Sequence, residues 1–521
     1  MKFIEKIKLL NFKRFEAFEF NTRQNRNILV GDNEAGKSTI LQAVDIVLSG
    51  SRTKVETMGL ETLFHRQAVT QFLDGDKRLN FLPVLSIEIY FNDHGNIALE
   101  GLNNSDGRIC HGVKLTCEPI DDFGEEIIAA LVGDEALFPY EYYGINFSTF
   151  AGHPYSPNRR FINHVMIDSS IIGSELATRI YTKSLYEANT NLVQRHQNNH
   201  AYRQSKAGFT ENSLAALNLT LGDFKFDIKN DSKSSLEQDL MITEQGMPVS
   251  QMGKGKQCFI KTEFALQQRG GAIPIDLILI EEPENHLSHL NMKKLINRIE
   301  ESTQTQLLIA THSNSVCSRL DIHNAFLLST ASNILVSLKD LPVATANYFV
   351  KAPNNKILEF ILSKSVVLVE GDAEFMLVEG MYKKIFNEKL EDSNIHVISV
   401  DGTSFKRYLD LATLLGIKTA VVRDNDGDFQ TYCINNYLEY RSENIQIFHD
   451  DDNNKTTFEK CVYQENMQLC DELFAGGRRT LTVQDYMLKN KTDAALKLLN
   501  DAIDRLAVPD YISRALTWIR E

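Results

Sequence analysis

The stretch GDNEAGKS, Gly31–Ser38, satisfies the pattern GxxxxGK[ST] in full. The apolar segment NILV precedes it and an apolar helical pattern follows it, which is the strand–loop–helix context of a phosphate-binding loop. Gly31 and Gly36 allow backbone N–H groups to turn inward on phosphates, and the helix N-terminus adds its dipole. Lys37 is then expected to reach the β- and γ-phosphates of ATP, and Ser38 to bind Mg²⁺.

Two further segments with the character of buried strands end in residues suited to ATP chemistry. LILIEEPE places Glu281 and Glu282 after one apolar strand, and LLIATHS places His312 after another. The first acid can hold Mg²⁺ and the second can polarise the attacking water, while the histidine can contact the γ-phosphate. A solvated strand end and a structural histidine are the simpler alternatives for these three residues.

The composition is that of a soluble protein with several domains. A length of 521 residues suits roughly two to four domains, and no apolar run is long enough for a membrane helix. The N-terminus mixes charges into its apolar positions, so no signal peptide is expected. Seven cysteines without a CxxC pair indicate neither a disulfide framework nor a zinc site, and favour a cytoplasmic setting. A net charge of −14 disfavours a whole-surface nucleic-acid binder but allows a local basic groove.

A second set of acidic residues follows two apolar strands in the C-terminal third of the chain. VVLVEGDAEFMLVE places Glu370 at a strand end and Glu374 on the same side of the following strand–helix turn. VVRDNDGD, Val421–Asp428, places Asp424 and Asp426 after another strand. Because functional groups in parallel sheets gather at the carboxyl ends of the strands, these four carboxylates are expected to converge. Their repulsion favours binding of Mg²⁺ or Mn²⁺, since all the ligands are hard oxygens.

An acidic turn without a metal is the alternative reading of DNDGD, whereas a calcium loop is excluded. An EF-hand loop needs Gly at its sixth position and Glu at its twelfth. Counted from Asp424, Gly427 is the fourth residue and Asn435 is the twelfth. Asp428 is either a neighbour of the ligands or a solvent-facing side chain, and the sequence leaves both open.

Strand and helix patterns divide the chain into segments. Helical spacing from about Asp168 to Arg203 predicts an inserted helical segment, and ALNLTLGDFKFDIKN predicts a return to strands. After KAPNNK, strands that alternate with helices predict a second α/β domain with a mainly parallel sheet. HDDDNN, from His449, is interpreted as a solvated loop. The predicted domains are residues 1–167 and 211–348 for the two parts of the ATPase, 168–210 for the helical insertion and 349–521 for the C-terminal domain.

The N-terminal motifs resemble the ABC-type ATPases of the SMC and RecF kind. The resemblance rests on NFKRFEAFEF, GDNEAGKST, EEPENHL and THS, in that order. In those proteins a signature motif from a second subunit completes the ATP site. SQMGKGKQ, Ser250–Gln257, resembles a degenerate form of that motif through Gly253 and Gly255. Lys254 and Lys256 depart from the usual LSGGQ. The resemblance implies a homodimer or a larger assembly, with the helical insertion contributing to dimerisation.

The C-terminal motifs resemble the Toprim domain, whose hallmark is a strand-end Glu and a DxD pair. The form LVEGxxE, joined to an N-terminal ABC-type ATPase, is similar to OLD-family nucleases, among them Gabija-type subunits. That resemblance implies a two-metal site to which a later Glu and a C-terminal lysine belong. Glu459 in TTFEKCV is the best match for the Glu, and Lys491 is preferred to Lys489 for the lysine.

These motifs supply the residues expected to act in the two sites. The predicted nucleotide-binding residues are Asn33, Gly36, Lys37, Ser38, Thr39, Gly253, Gly255 and His312. The predicted catalytic residues are Glu282, Glu370, Glu374, Asp424, Asp426, Glu459 and Lys491. The predicted metal ligands are Ser38, Glu281, Glu370, Glu374, Asp424, Asp426 and Glu459.

The resemblance implies an ATP-binding, metal-dependent DNA endonuclease or nickase in defence against phage or foreign DNA, with ATP licensing or restraining cleavage. Hydrolysis is favoured over strand passage, because Tyr432 follows the acidic turn without an evident topoisomerase cleavage domain. The implied partners are DNA, further copies of the chain and a helicase-like or reverse-transcriptase protein encoded nearby; no membrane is involved. The alternative is a RecF-like DNA-binding clamp whose Toprim fold is a non-catalytic docking module. An RNA-processing nuclease is a weaker alternative.

Overall fold

The computed structural model describes residues 2–93, 95–132, 137–157, 161–168, 175–221, 223–229, 236–266, 275–285, 287–301, 305–313, 316, 320, 322–328, 335–352, 356–476 and 481–521. These residues fall into two compact units, which are described separately. The first unit comprises Met1–Leu320 and Asn324–Leu335, and the second comprises Asp321–His323 and Val336–Glu521.

The strands of the first unit form an antiparallel sheet and a parallel sheet. In chain order the described strands are β1 (Ile4–Phe12), β2 (Phe15–Asn21), β3 (Arg26–Gly31), β4 (Leu85–Phe91), β5 (Glu100–Gly101), β6 (Cys110–Pro119), β7 (Tyr143–Thr149), β8 (His164–Asp168), β9 (Thr243–Glu244), β10 (Met247–Pro248), β11 (Leu277–Glu281), β12 (Gln306–Thr311) and β13 (Ala325–Leu328). The antiparallel sheet has the order β2–β1–β4–β6–β5, and β7 also pairs with β6. The parallel sheet contains β13, β3, β12, β11 and β8 side by side. β9 and β10 form a separate hairpin.

The parallel sheet brings the ends of three strands to the phosphate loop. Strands covered on both faces consist of nearly continuous apolar runs, and β11 and β12 are buried in this way. In the register of the sheet Thr311 of β12 pairs with Val30 of β3, and Glu281 of β11 pairs with Ala310 of β12. The strand ends at Gly31, Glu281 and Thr311 therefore lie along one edge.

Helices of the first unit cover these sheets and form the segment that follows β8. The helix after the phosphate loop buries Ile40, Val44 and Val47 in the core that the two sheets share. The described α-helices of this unit are Lys37–Ser49, Arg52–Met58, Leu60–Leu63, Arg66–Asp74, Gly124–Ala130, Glu175–Ala188, Leu192–Ser213, Ala215–Asn218, Leu236–Asp239, Lys254–Leu266 and His289–Glu301.

The strands predicted for ALNLTLGDFKFDIKN are wrong. The described residues of this segment, within 215–229, contain the helix Ala215–Asn218 and no strand. Its alternating apolar residues lie in water, since Leu219 is 86% exposed and Phe224 is 80% exposed. An alternating pattern makes a strand only where a neighbouring strand supplies the hydrogen-bond ladder and a face to cover. The described part of this segment has no such neighbour.

The second unit is built on a parallel sheet. Its strands are β15 (Ser365–Val369), β16 (Ile395–Ser399), β17 (Lys418–Val422) and β18 (Ile445–Phe448). The sheet has the order β16–β15–β17–β18, and all its neighbours are parallel. The short strand β14 (Leu335–Ser337), whose first residue belongs to the first unit, stands next to β13 in the order of the parallel sheet of that unit. The described α-helices are Val343–Lys351, Ile357–Ile361, Asp372–Phe386, Phe405–Leu415, Phe458–Glu465, Met467–Phe474, Val483–Lys489, Lys491–Ala502 and Asp510–Arg520.

The side chains of β17 alternate between the two faces of this sheet. Ala420 and Val422 lie in the core that helices Asp372–Phe386 and Asp510–Arg520 complete. Val421 is fully buried outside that core. Continuation of the alternation past the strand end sends the next two side chains to opposite faces. This alternation decides which helices each functional residue meets.

The close approach of β13 to Gly31 provides a test of how the phosphate loop is positioned. A Cβ at Gly31 would lie 2.4 Å from the backbone oxygen of Leu328, a contact that only a backbone shift can relieve. Gly31→Ala is therefore expected to destabilise the protein by about 1–3 kcal/mol and to weaken ATP binding. Thermal unfolding and titration with a fluorescent ATP analogue measure the two effects. Gly124→Ala is the control, because its Cβ would meet no atom closer than 3.9 Å, and equal behaviour of the two variants would contradict this role for Gly31.

Candidate nucleotide and metal sites

The phosphate loop between β3 and the helix Lys37–Ser49 is shaped by a left-handed glycine. Gly36 has φ 102° at the N-terminal end of that helix, and a Cβ there would lie 2.6 Å from both Arg14 Cδ and Phe15 Cζ. A residue with a side chain is therefore excluded by conformation and by space. Asn33 is exposed in the loop, and Thr39 is half-buried in the first helical turn. Both residues thus belong to the loop or to the helix turn that would surround the phosphates.

Lys37 is buried at the base of this loop. Its ammonium donates hydrogen bonds of 2.7 Å to the backbone oxygens of Gly31 and Asp32. Burial lowers the pKa of Lys37, and the negative charges of Glu282 and Asp32 oppose that shift. An ammonium held at the loop by neutral carbonyls is positioned to bind phosphate oxygens that enter there.

Ser38 and Glu281 meet across the strand ends, as a shared magnesium site requires. The Ser38 hydroxyl is near enough to the Glu281 carboxylate to favour its charged form, whereas burial raises the pKa of that carboxyl group. The partial negative charge of a hydroxyl oxygen and a buried carboxylate are a donor set that suits a hard divalent cation. These two residues fit the group that a phosphate loop uses, and they are the ones that would hold it.

Glu282 follows β11 in a left-handed backbone conformation, with φ 46°. Its N–H donates to the Ala310 oxygen at 2.8 Å, and its Oε2 accepts from Asn285 Nδ2 at 2.5 Å. Its Oε1 lies 3.6 Å from Nδ1 of His312. The structure therefore places the predicted water-polarising acid and the predicted γ-phosphate contact side by side.

Glu284 is a functional candidate that the sequence analysis missed. Its Oε1 accepts a hydrogen bond of 2.7 Å from the Thr311 hydroxyl and one of 3.0 Å from the His312 N–H. It also lies 3.5 Å from Nδ1 of His312. Glu284, which follows β11, therefore orients the histidine that follows β12. The sequence signal was that Glu284 is the third acid of EEPE and lies at the same strand end as Glu281 and Glu282.

A basic cleft of about 720 Å³ opens beside the phosphate loop and was also missed. It is lined by Lys13, Arg14, Glu34, His65, Arg66, Gln67 and Thr70. The Arg14 guanidinium donates a hydrogen bond to the backbone oxygen of Glu34, which joins the cleft to the loop. The sequence signal was the pair of basic residues in NFKRF, between β1 and β2, but the second half of the cleft comes from residues fifty positions later. The volume of the cleft lies within the usual range of small-molecule pockets.

The candidate signature segment begins the helix Lys254–Leu266. Gly253 precedes the helix with open space around its Cα, and Gly255 lies in the first turn. Lys256, which stands in place of the expected glycine, forms an ion pair of 2.6 Å with Glu244 on the β9–β10 hairpin. Gln257 Nε2 donates to the Met252 oxygen at 2.7 Å. The segment is thus locally ordered, and one of its two unexpected lysines is engaged within the same chain.

In the second unit, the carboxyl ends of β15 and β17 carry the acidic residues. Glu370 follows β15 directly, and Glu374 lies in the first turn of the helix Asp372–Phe386. Asp424 and Asp426 follow β17, and Glu459 lies in the first turn of the helix Phe458–Glu465. The five predicted acids therefore come from neighbouring strand ends and helix starts.

Three of these acids form a buried group around Asp424. Asp424, Glu374 and Glu459 are 9%, 5% and 3% exposed. Asp424 Oδ1 accepts a 2.8 Å hydrogen bond from the Phe458 N–H. Burial raises the pKa of Asp424 well above its usual range, and the negative charges of Glu374 and Glu370 add to this. Burial likewise raises the pKa of Glu374 to about 7.

Lys491 supplies positive charge to this buried group. Its ammonium lies 3.0 Å from Glu459 Oε1 at the start of the helix Lys491–Ala502. Burial opposes the charged ammonium, but the pairing with Glu459 and the negative charges of Asp424 and Glu374 outweigh it and raise the pKa of Lys491. Lys489 is exposed at the end of the preceding helix. The geometry thus favours Lys491 over Lys489 as the lysine of the site.

Arg423, which the sequence analysis passed over, connects the other two acids. Its guanidinium donates one hydrogen bond to Glu370 Oε2 and a second, of 2.7 Å, to Asp426 Oδ2. The side chain is only 6% exposed. Burial raises the pKa of Glu370, and the positive charge of Arg423 limits that shift. A basic residue inside VVRDNDGD was visible in the sequence, but nothing in the sequence showed which way it points.

The turn after Asp424 is held by Asn425 and excludes Asp428 from the acidic group. Asn425 Nδ2 donates to the backbone oxygens of Asp450 and Asp452 at 2.9 and 3.0 Å. The HDDDNN segment interpreted as a solvated loop therefore also supports the acidic turn. Exposed Asp428 accepts hydrogen bonds from the N–H and hydroxyl of Thr431, at 3.2 and 2.7 Å, which lower its pKa. Asp428 thus caps the next segment.

The donor set suits divalent cations, although its side chains are not arranged as a coordination sphere. Among the described residues, no three Asp, Glu, His or Cys side chains stand in metal-binding positions. Arg423 and Lys491 lie against carboxylates at the two sides of the cluster, and mutual repulsion keeps unscreened carboxylates apart. Oε1 of buried Glu459 is paired with Lys491, whereas its Oε2 makes no hydrogen bond. A buried carboxylate oxygen in this state is the chemistry that a hard cation satisfies, so the residues fit such an ion.

None of the helices that the structure describes has the length and apolar character needed to cross a bilayer.

The two sites define the class of this chain. A phosphate loop with strand-end acids in a parallel sheet is an ATPase site, and a parallel α/β unit with a strand-end Glu and a DxD pair is a Toprim domain. Comparison with known protein families agrees with both assignments. Residues 361–426 match the TOPRIM domain described as overcoming lysogenization defect protein-like, and residues 1–213 match an AAA ATPase domain. Residues 163–318 match an AAA domain described as putative AbiEii toxin, Type IV TA system. The chain thus joins an AAA ATPase domain to an OLD-like TOPRIM domain.

Similar proteins and structures carry related names. The Old nuclease of Escherichia phage P2 is 31% identical over 165 residues, and the match covers 29% of this chain and 28% of that protein's length. The endonuclease GajA of Bacillus cereus (strain HuB5-5) is 20% identical over an alignment of 530 residues, covering 81% and 76%. The C-terminal region of the Xanthomonas campestris OLD protein shows 22% identity and a TM-score of 0.24, covering 30% of this chain and 94% of that one. The SMC head domain from Thermotoga maritima shows 14% identity and a TM-score of 0.31, covering 64% and 98%.

The raised pKa of Glu374 predicts how stability depends on pH when divalent ions are chelated. The folded state binds this proton more tightly than the unfolded state, so stability should fall as pH rises from about 4.5 to 7 and then level off. Glu374→Gln removes the buried charge and should stabilise the chelated protein at pH 7.5 by at most about 3 kcal/mol. Unfolding curves in EDTA between pH 4.5 and 8 measure this.

Glu379→Gln is the matched control for that experiment, because Glu379 is an exposed residue of the same helix. Its unfolding curve should follow the wild type at every pH. A Glu374→Gln protein that is no more stable than the wild type at pH 7.5 would show that the charged form of Glu374 does not destabilise the folded protein.

Proposed function

We propose that the protein is an ATP-binding DNA endonuclease or nickase whose cleavage chemistry takes place in the Toprim unit with Mg²⁺ or Mn²⁺. The observation that carries this proposal is the buried group of Asp424, Glu374 and Glu459 beside Lys491 at the strand ends of a parallel sheet. Groups that are buried, acidic and mutually repelling lower the stability of a fold, so their presence together points to a functional cation. The names of the Old nuclease and the endonuclease GajA support DNA cleavage as the reaction.

The side chains of the edge divide the tasks of such a reaction. Glu374, Asp424 and Glu459 would hold one divalent ion, and Glu370 and Asp426 have the positions to hold a second. Ions bound there would lower the pKa of a water molecule and stabilise charge on the attacking and leaving oxygens. Lys491, whose pKa is raised, keeps its proton at neutral pH and can donate to a non-bridging phosphate oxygen. No protein nucleophile is needed for hydrolysis.

The ATPase unit has the groups for ATP hydrolysis, but no evident motif for moving DNA strands. Lys37 and the loop N–H groups would bind the phosphates, and Ser38 and Glu281 would hold Mg²⁺. Glu282 lies beside His312 and is the group to orient the attacking water. We therefore assign ATP a regulatory role, in which binding or hydrolysis controls cleavage in the Toprim unit.

Assembly and biological role complete the proposal. The degenerate signature segment at Gly253 would complete the ATP site of a second copy, so we propose a homodimer or a larger assembly. The SMC-type resemblance of the ATPase motifs and the helices that follow β8 support this. Defence against phage or foreign DNA, and a helicase-like or reverse-transcriptase partner, stay predictions of the family resemblance.

Asp424→Asn separates cleavage from ATP chemistry. It removes a central carboxylate of the buried group, so nicking or cutting of supercoiled plasmid in Mg²⁺ or Mn²⁺ should fall by about a hundredfold or more. ATP hydrolysis by the same variant should stay near the wild-type rate. Lys37→Ala should lose ATP hydrolysis and keep an intact Toprim site. Gel analysis of plasmid forms and a phosphate-release assay measure the two activities.

Asp428→Asn is the matched control for Asp424→Asn, since it changes the same charge in the same turn outside the acidic group. It should cut like the wild type. If Asp424→Asn also cuts like the wild type, the Toprim unit is not the nuclease. A wild-type protein that binds plasmid but never cuts it would favour the DNA-binding clamp. Cleavage of RNA in place of plasmid would favour the RNA-processing alternative.

Glu282→Gln tests the assignment of ATP chemistry and assembly together. Loss of the water-orienting carboxylate should slow ATP hydrolysis by about 10²–10⁴-fold and leave ATP binding in place. The protein trapped with ATP should then contain at least as much dimer as the wild type by native mass measurement. Glu125→Gln, at an exposed position of the helix Gly124–Ala130, is a control that should change neither property. Monomers alone, with and without ATP, would contradict the proposed assembly.

A further inference from the structure

Arg423 makes a two-armed contact at the Toprim edge that the cleavage chemistry does not require. One arm donates to Glu370 after β15, and the other donates to Asp426 after β17. The guanidinium therefore spans two neighbouring strand ends and neutralises carboxylates from both. A planar fork with several N–H donors suits this bridging, whereas the single ammonium group of lysine does not.

The surroundings of Arg423 keep it in this place. Strand alternation puts its side chain on the face opposite to Asp424. The guanidinium lies 5.8 Å from the centre of the Phe405 ring, and Tyr437 is close enough for the positive charge of Arg423 to act on the pKa of its phenol. The aromatic side chains of this face thus cover a cation that is already engaged with two acids. Arg423 is a fixed part of the site and not a mobile surface charge.

The positive charge of Arg423 changes the electrostatic balance of the edge. Metal ligands must be deprotonated, so with metal bound the five carboxylates carry five negative charges. The five are Glu370, Glu374, Asp424, Asp426 and Glu459. Arg423 and Lys491 oppose two of these charges, which leaves an excess of three. One divalent ion leaves an excess of one negative charge, and a second ion produces one positive charge.

We propose that Arg423 is a resident cation of the acidic edge, which satisfies Glu370 and Asp426 and makes tight binding of a second divalent ion depend on the phosphate of bound DNA. The phosphate supplies the one negative charge that balances the second ion. Without DNA, the second ion must share or displace the guanidinium at Glu370 and Asp426. This inference rests on the proposed function, because it takes a DNA phosphodiester as the ligand of the edge.

The two ion positions are unequal as a consequence. Among the residues that the structure describes, Lys491 is the cation beside the buried group of Asp424, Glu374 and Glu459, and this group binds the first ion. The pair of Glu370 and Asp426 is already bonded to Arg423 and accepts the second ion when DNA arrives. A fully assembled site then forms only on the substrate, and an idle protein cannot activate water with two ions.

Counting bound Mn²⁺ by electron paramagnetic resonance tests this proposal on the full chain without nucleotide. The signal lost in the Asp424→Asn variant marks the ions of the Toprim edge. The wild type should bind one such ion tightly without DNA and two with a short duplex that carries phosphorothioate linkages. Arg423→Met removes the charge and keeps most of the side-chain length. It should bind the second ion without DNA at least about tenfold more tightly than the wild type, since one charge-assisted hydrogen bond is worth about that factor.

Two further variants make the result decisive. Arg505→Met is the matched control, because Arg505 is half-exposed and paired with Glu472 in the same unit, and it should leave the count unchanged. Arg423→Lys keeps the charge without the fork, so it should gain several-fold in affinity for the second ion, and it serves if Arg423→Met does not fold. Second-ion affinity equal to the wild type in both Arg423 variants overturns the proposal.

A loss of affinity overturns it as well. A drop of about 10–100-fold in the Arg423 variants is the effect of a residue that holds metal ligands in place, and it would assign Arg423 that supporting role. Two tightly bound ions in the wild type without DNA would also contradict the proposal. The wild type and the Arg423 variants could bind Mn²⁺ as expected without DNA while the wild type never cuts plasmid. That outcome would contradict the proposed nuclease function and keep Arg423 as the resident cation.

Discussion

Repulsion among carboxylates is the constraint on which the edge of the second unit depends. Short parallel strands end on the same side of a sheet, so acids that follow β15 and β17 cannot avoid one another. Burial makes the charged forms still less favourable, as the raised pKa of Asp424 shows. Individual contacts around the edge offset part of this repulsion. The Phe458 N–H donates to Asp424, Lys491 pairs with Glu459, and Arg423 bridges Glu370 and Asp426.

Backbone conformation at the strand ends fixes where these charges point. Asp426 and Gly427 have left-handed φ values of 50° and 87° after β17, and Glu282 has a φ of 46° after β11 in the first unit. Non-glycine residues pay a conformational cost in this region, and surrounding bonds must hold them there. In the Toprim unit Asn425 supplies that support by bonding to the loop after His449. In the ATPase unit the Glu282 N–H donates to β12.

How far the sequence predicts this structure depends on the range of the interaction. The phosphate loop, the buried parallel strands and the strand-end acids are local patterns. From these patterns the sequence predicted that Glu282 and His312 belong to one site, and that Asp424 belongs to another with the other acids. Arg423 was missed because its role depends on the face it occupies and on a bond to the end of another strand. The strand pattern at 215–229 failed for the same reason, since a strand needs a partner that no local pattern can supply.

The charges of this chain also constrain how DNA can approach it. The net charge is −14, and the Toprim edge concentrates five of the carboxylates, against two cations, at the place where a phosphodiester would lie. Coulomb forces without divalent ions therefore oppose a phosphate at this edge. The ATPase unit likewise sets acids, among them Glu281 and Glu282, beside Lys37, and its basic cleft lies next to the phosphate loop. In the proposed function both sites take a divalent ion: Ser38 and Glu281 would hold one for ATP, and the acidic edge would need one before a DNA phosphate can approach. Metal binding would then be part of substrate binding in the Toprim unit and not only part of its chemistry.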